Sequence, residues 1–481
     1  MSYYLGVDLG TTGCRSIVYD RKLTRRGESY YEYGLIQNNN GYVEQNADHW
    51  WEMVRKTVKE SIQNANLAGG EISGVGLSSQ AITIVPVNDR VEPLCNAISW
   101  LDTRAEKQAE RLLNEFGHKR IFQMTGKRID AAYSLPKILW LKEERPEVFE
   151  QTWKFLSPMD FLIGKLTGNC ITDHSMASGT LLYDIAGCRW NSSIIEACGL
   201  SEAQLPELKW AGEPAGTIVD LPGVGPKCIV ATGAQDQRCA SFGAGLRPGV
   251  MTVSLGTAGA VCKYRNSVQT GQTDRIGWSA YINKGSWVTE GVINTAAACL
   301  RWLRDTMYIG QSYDTINHEA EECMHRGTGL LFYPFLNGPS SPDYFKDAQG
   351  CFYGVSLSTE RADFALAIME GIAFQIRNLL EVMDAYEDVQ KLVIFGGGAK
   401  SDLWCRIIAD ITGLNVAKPL TAEAASFGAA VLAGIACGEF DRDDPPTIAE
   451  EKLYRPDKHV SYYESKYTSY KEIAHSLWDN R

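Results

Sequence analysis

The chain has 481 residues, 44% of them hydrophobic and 22% charged, with a formal net charge of −11. That apolar content supports about two or three packed domains and excludes general disorder, while the acidic balance argues against attraction to nucleic acid or to an anionic membrane surface. No apolar run approaches the roughly 20 residues of a membrane span and no signal-peptide pattern opens the chain, so the expected compartment is the cytoplasm. The 13 cysteines lack any CxxC spacing and sit in contexts such as Ala298-Cys299-Leu300, which reads as reduced core residues. Seven histidines without HExxH spacing argue against a dedicated transition-metal site.

The first apolar run, Tyr3-Tyr4-Leu5-Gly6-Val7, enters Asp8-Leu9-Gly10-Thr11-Thr12-Gly13 and returns as Cys14-Arg15-Ser16-Ile17-Val18-Tyr19. This spacing predicts strand, tight turn and strand, which excludes the dinucleotide fingerprint, where a strand feeds a helix. Glycines let backbone N–H groups converge on an anion, Thr11 and Thr12 add hydroxyls, and Arg15 adds a positive fork. A polyphosphate fits such a turn. Helices are predicted over Trp50 to Ala65, Thr103 to Phe116 and Ala362 to Ala385, where apolar positions recur at three and four residues. The passage Gly243-Ala244-Gly245-Leu246-Arg247-Pro248-Gly249 marks a hinge between domains at 1–246 and 247–481.

Directly after that passage, Ser254-Leu255-Gly256-Thr257-Ala258-Gly259 repeats the first turn, again between apolar runs. Duplicated phosphate turns suit an enzyme that handles a nucleoside triphosphate. A third glycine turn, Gly396 to Asp402, follows Leu392-Val393-Ile394-Phe395 and opens a helix with Leu403, Ile407, Ile408 and Ile411 on one face and Gly413 as its stop. A flat base could lie on its bare backbone, and the small-residue helix Ala424 to Ala430 permits close packing. The alternation of strands and helices gives an α/β fold class. From about Asp441 the tail is polar and Tyr-rich, helix-like after Tyr462, and is expected to return to the first domain.

Joined with Asp236-Gln237 and Trp100-Leu101-Asp102-Thr103-Arg104, the three turns resemble the FGGY carbohydrate kinases, the group of xylulokinase and glycerol kinase. Pro136 to Leu141, Gly350 to Val355, Met369-Glu370-Gly371 and Ala424 to Ala433 fit the same pattern in order and spacing. The resemblance implies two actin-like (ribonuclease-H-like) ATPase domains around a central cleft, with ATP mainly on the second and a sugar or polyol on the first. It places Asp8, Thr12 and Arg15 on the first phosphate loop, Thr257 beside Gly256 on the second, Gly397, Gly398 and Asp402 around the adenine, and Asp236 as catalytic base. It is also compatible with a homodimer.

Phosphoryl transfer rests on alignment and charge stabilisation, and an aspartate with an unperturbed pKa of about 3.9 is ionised at pH 7, ready to accept a hydroxyl proton. Asp8, beside the first turn, is the candidate for Mg²⁺, which takes few carboxylates and keeps waters. Where glycerol kinases carry Arg-Glu after a glutamine and xylulokinases carry Met-His, this chain has Gln80-Ala81-Ile82. Ala132 and Ala260 replace the aromatic residues that line glycerol, in an ungapped reading. Gln80, Trp100, Asp102, Asp236 and Gln237 then remain as the polar and stacking groups of a roomier pocket. The expected reaction is transfer of the γ-phosphoryl group to a ketose, a pentulose such as xylulose, with another polyol or a sugar acid (glycerol, erythritol, gluconate) as the alternative.

Plainer readings stand beside these. Asp236 could cap a helix over Arg238 to Phe242, Gly396 to Gly398 could simply join strand to helix, and Trp100 could be a core aromatic. Phosphate hairpins alone also fit an actin-like ATPase of the chaperone or filament class, or a silent sugar sensor. Trp100 to Arg104 and Asp236-Gln237 speak against the ATPase, and retention of Asp8, Thr12, Thr257 and Asp236 speaks against the sensor.

Overall fold

The computed structural model describes residues 2–38, 41–271, 273–345, 347–457 and 460–479. The chain forms two compact units, one of Met1–Gly243, Arg265–Val288 and Glu423–Thr447, the other of Ala244–Tyr264, Thr289–Ala422 and Ile448–Arg481. The division expected at residue 246 was contiguous; in the structure two later segments join the first unit.

The two units share one strand order. In the first, Arg25–Glu32, Gly13–Asp20 and Tyr3–Leu9 form an antiparallel run, followed by Ile72–Ser79 and Ile229–Ala231 in parallel and by Pro214–Thr217 antiparallel at the far edge. In the second, Trp287–Ile293, Gly259–Arg265 and Val250–Leu255 lie side by side, then Lys391–Phe395 and Asn415–Pro419 in parallel and Glu450–Tyr454 antiparallel. The repeated phosphate turn is thus the visible part of a repeated topology. Parallel neighbours need long crossovers, and the helices Ala47–Asn64, Arg361–Val382 and Asp402–Thr412 lie in them.

The helix expected from Trp50 begins at Ala47 because the Asn46 side chain accepts from the N–H groups of Asp48 and His49, a cap that hydrophobic periodicity does not register. Leu5, Val7, Val75 and Leu77 of the central strands pack with Trp50 and Val54 in the first core. On the same sheet lies the helix Ala424–Ala436. A Cβ at Gly6 would stand 1.9 Å from the Ser426 carbonyl oxygen, and one at Gly76 1.8 Å from that of Ala429. Only a glycine backbone admits this approach, and it is what draws residues 423–447 into the first unit.

The tail divides, and its helix corrects the expectation that it packs on the first domain. Helix Val460–Trp478 belongs to the second unit, where Tyr470 stacks on Tyr333 at 4.5 Å and Trp478 meets the Tyr333 and Phe335 rings at 5.1 and 5.3 Å. Tyr463, Tyr467, Tyr470, Ala474 and Trp478 are all buried, spaced as one helical face. Among the described residues no helix is long and apolar enough to cross a membrane.

Candidate active site

Three neighbouring strands of the first unit end in register at Leu9, Ser79 and Gln235. The next residues are Gly10 to Thr12, Gln80, and Asp236-Gln237, so the candidate groups meet at the carboxyl ends of parallel strands, where open α/β sheets bind ligands.

In the first turn the carbonyls point into the protein. Tyr33 N–H donates to Thr12 O at 2.9 Å, Gln45 Nε2 donates to Thr11 O at 2.8 Å, and the Tyr33 hydroxyl donates to Gly10 O. Across a trans peptide the next N–H points the opposite way, so the amides of Thr11, Thr12 and Gly13 turn outward. That is the geometry of an anion cradle, with Thr12 exposed on it. Arg15 departs from expectation. It faces Asp8 across the hairpin, but its guanidinium pairs with Glu423 at 3.0 Å and Glu28 at 3.5 Å and lies over the Tyr30 ring. Instead of a fork aimed at phosphate, its charge is committed to two glutamates.

Asp8 is only partly exposed, and Ser78 Oγ donates to its Oδ1 at 2.8 Å. Burial pushes its carboxyl up from 3.8 to about 6; the Ser78 hydrogen bond and Arg15 oppose this, while Glu423 adds to it. A crowded carboxylate beside a phosphate cradle fits a cation that draws its remaining ligands from water and phosphate, which is the habit of Mg²⁺. Among the described residues no group of three or more His, Cys, Asp or Glu is arranged to hold a metal alone.

A ring of hydrogen bonds joins this turn to the expected sugar side. Gln45 Nε2 holds Thr11 O, Gln80 Nε2 donates to Gln45 Oε1 at 2.8 Å, and Thr83 Oγ1 donates to Gln80 Oε1 at 3.4 Å. Trp100 closes the circuit, its N–H donating to Thr83 Oγ1 at 3.0 Å and its indole Nε1 to Thr11 Oγ1 at 2.9 Å. Gln80 is buried, with both ends of its amide used, so it positions the wall and does not face a substrate as expected. Gln45 was not among the sequence candidates; a polar residue just before a helix cap carries no pattern that marks it. Trp100 keeps 39% exposure, with its indole N–H engaged by Thr11.

Asp102 also departs from the expected substrate contact. It is fully buried, and its carboxylate accepts from Arg104 Nε at 2.8 Å, Arg104 Nη2 at 2.7 Å, Arg104 N at 2.9 Å and Val43 N at 2.6 Å. With these donors around it, Asp102 shapes the Trp100 to Arg104 turn. Asp236 lies in the first turn of helix Asp236–Gly243. Its Oδ1 accepts from Gln235 Nε2 at 2.8 Å and Gln237 N at 2.7 Å, which fixes the carboxylate at the strand end. Capping contact and candidate base are the same residue.

The second unit places its candidates at equivalent strand ends. Thr257 is exposed, while Gly256 O and Thr257 O accept from Ala297 N and Ala296 N, each at 2.9 Å, so this turn is also held by its carbonyls. Gly396 to Ser401 does not open the helix directly; a 3₁₀ turn, Gly397–Lys400, intervenes, and Ser401 caps Asp402–Thr412. A groove runs along Gly396, Ala399, Lys400, Lys418, Leu420 and Thr421. Gly397 is open, and a Cβ at Gly398 would stand 2.6 Å from the Leu255 side chain, so the loop packs closely on Leu255 there. Asp402 accepts from Lys452 at 2.5 Å, Tyr454 at 2.6 Å and Lys418 at 3.3 Å, which hold its carboxyl well below the usual range, so it anchors strands behind the groove.

Two sheets of this order, each with a glycine turn between its first two strands, are the arrangement of the actin-like ATPase fold. The model of the FGGY family of carbohydrate kinases, N-terminal domain, matches residues 3–243 and its C-terminal domain matches 251–437; the chain belongs to this family. It is 31% identical to a xylulose kinase of Bacillus subtilis over 98% of this chain and 97% of that one. It is 30% identical to a glycerol kinase of Thermococcus kodakarensis over 98% and 96%. A crystal structure titled a xyloylose kinase, from Brucella ovis, superposes with a TM-score of 0.92 at 27% identity, covering 99% of both chains. The protein is therefore an ATP-dependent carbohydrate kinase.

Proposed function

We propose that the acceptor is a ketose, a pentulose such as xylulose, and that Asp236 is the base. Overall likeness does not separate xylulose from glycerol, since relatives of both names match at 31% and 30% identity. What supports the larger sugar is the wall at 81, 82 and 132: alanine, isoleucine and alanine stand there, and no charged pair is present to grip a three-carbon polyol. Ala81 and Ala132 are partly exposed.

In this reading Asp236 accepts the proton of the attacking hydroxyl as its oxygen bonds to the γ-phosphorus and the bond to the β-bridging oxygen breaks, releasing ADP. The outward amides of Thr11, Thr12 and Gly13 would hold phosphate oxygens. Mg²⁺, held by Asp8, would neutralise phosphate charge. The groove along Gly396 and Ala399 takes the base of the nucleotide.

Coupled ADP detection with ketopentoses, ketohexoses, tetritols, glycerol and gluconate tests the substrate. A ketopentose should give the highest kcat/KM, and a preference for glycerol or gluconate would replace the pentulose reading. Asp236→Asn should lower kcat by about 10²- to 10⁴-fold with nucleotide affinity retained. Full turnover in that variant would remove Asp236 from its role.

A further inference from the structure

Lys137 has no solvent exposure, yet it stands in the helix Ser134–Glu144 among buried Leu135, Ile138, Leu139 and Leu141. Its Nζ donates to Ser99 O at 2.7 Å, to Ile82 O at 3.3 Å and to Ala132 O. These carbonyls come from three separate segments, and each is part of the proposed sugar wall or adjoins it: Ile82 follows Gln80-Ala81, Ser99 precedes Trp100, and Ala132 is the wall's second alanine.

Ile82 adds an independent sign. Its φ is +54°, a left-handed conformation that a β-branched residue adopts only under constraint. Ser134 Oγ also donates to the Ile82 carbonyl, at 3.5 Å. A methionine or leucine at position 137 would match its apolar neighbours without the desolvation cost of an ammonium. Burial indeed pushes Lys137 down from 10.5 to about 7, with Arg104 acting in the same direction and Asp102 and Asp130 opposing it. What an apolar side chain cannot do is present three donors to three acceptors at one point.

We propose that Lys137 is a positioning residue for substrate selection: one ammonium ties the 82, 99 and 132 segments together and so sets the spacing of the sugar wall. The proposal rests on the assignment of that wall to the sugar. Two measurements on the full-length chain keep the two apart. In Lys137→Met, amide hydrogen exchange should quicken about 10-fold or more in residues 81–84, 99–101 and 131–134, with strand Val250–Leu255 unchanged. Unchanged protection in those three segments overturns the clamp, whatever the substrate is.

In the kinetics, Lys137→Met should raise the sugar KM by about 10- to 100-fold while the ATP KM stays within about threefold, and should narrow the preference between a ketopentose and a ketohexose. Lys137→Arg keeps the charge, but its planar fork cannot converge on three carbonyls, so it should show the same split and serves if the methionine variant does not fold. Sugar KM and selectivity unaltered in a folded variant would overturn the role in selection. Wild-type enzyme that phosphorylates no member of the sugar panel defeats the functional reading instead, and the exchange result still decides the clamp.

Discussion

Replacing Asp8 by asparagine keeps the shape of the side chain and an acceptor for Ser78 Oγ, now 2.8 Å away, while removing the charge. The unfolded chain gives up this proton near 3.8 and the folded chain near 6, so between those values the native state binds more protons and stability falls as pH rises. At about 1.4 kcal/mol per pH unit, holding Asp8 ionised above pH 6 costs the native state about 3 kcal/mol. Asp8→Asn should therefore be more stable than wild type by up to about 3 kcal/mol at pH 7.5, the advantage closing toward zero below about pH 4. Urea titrations at several pH values, read by hydrogen exchange in strand Tyr3–Leu9, report the first unit by itself. The same variant should lose kinase activity, and Mg²⁺ with nucleotide should stabilise wild type but not the variant. A variant less stable than wild type at pH 7.5, or an advantage independent of pH, would refute burial as the cause. A native tolerance of a costly charge is what a functional carboxylate predicts.

Two structural predictions follow from close approach and from a buried charge. Gly76→Ala drives a methyl group into the Ala429 carbonyl, 1.8 Å away, and should cost about 3 kcal/mol or more, visible as an early melt of the first unit. Lys466 pairs with buried Glu370 at 2.5 Å, so Lys466→Met strands a carboxyl whose pKa burial already raises and should cost about 3–5 kcal/mol in urea. Adding Glu370→Met should recover much of that loss, and a double variant no better than the single one would count against the pair.

The fold class and the candidate residues at the strand ends lay in local patterns. Strand, glycine turn and strand recur at Asp8 to Gly13 and Ser254 to Gly259, and a turn is fixed by the residues that make it. Asp236 likewise follows a strand end that its own neighbours specify. What those groups touch was decided only by tertiary contact. Arg15 meets Glu423 because a late helix lies on Gly6 and Gly76, and no local rule links residues so far apart in the chain. Asp102 and Gln80 are polar residues in motif positions, yet folding surrounds one with Arg104 and Val43 and the other with Gln45 and Thr83, which converts both from expected ligands into supports. Sequence determines which chemistry a strand end can carry; burial and partners, which depend on the whole packed sheet, determine which of those side chains is left to use it.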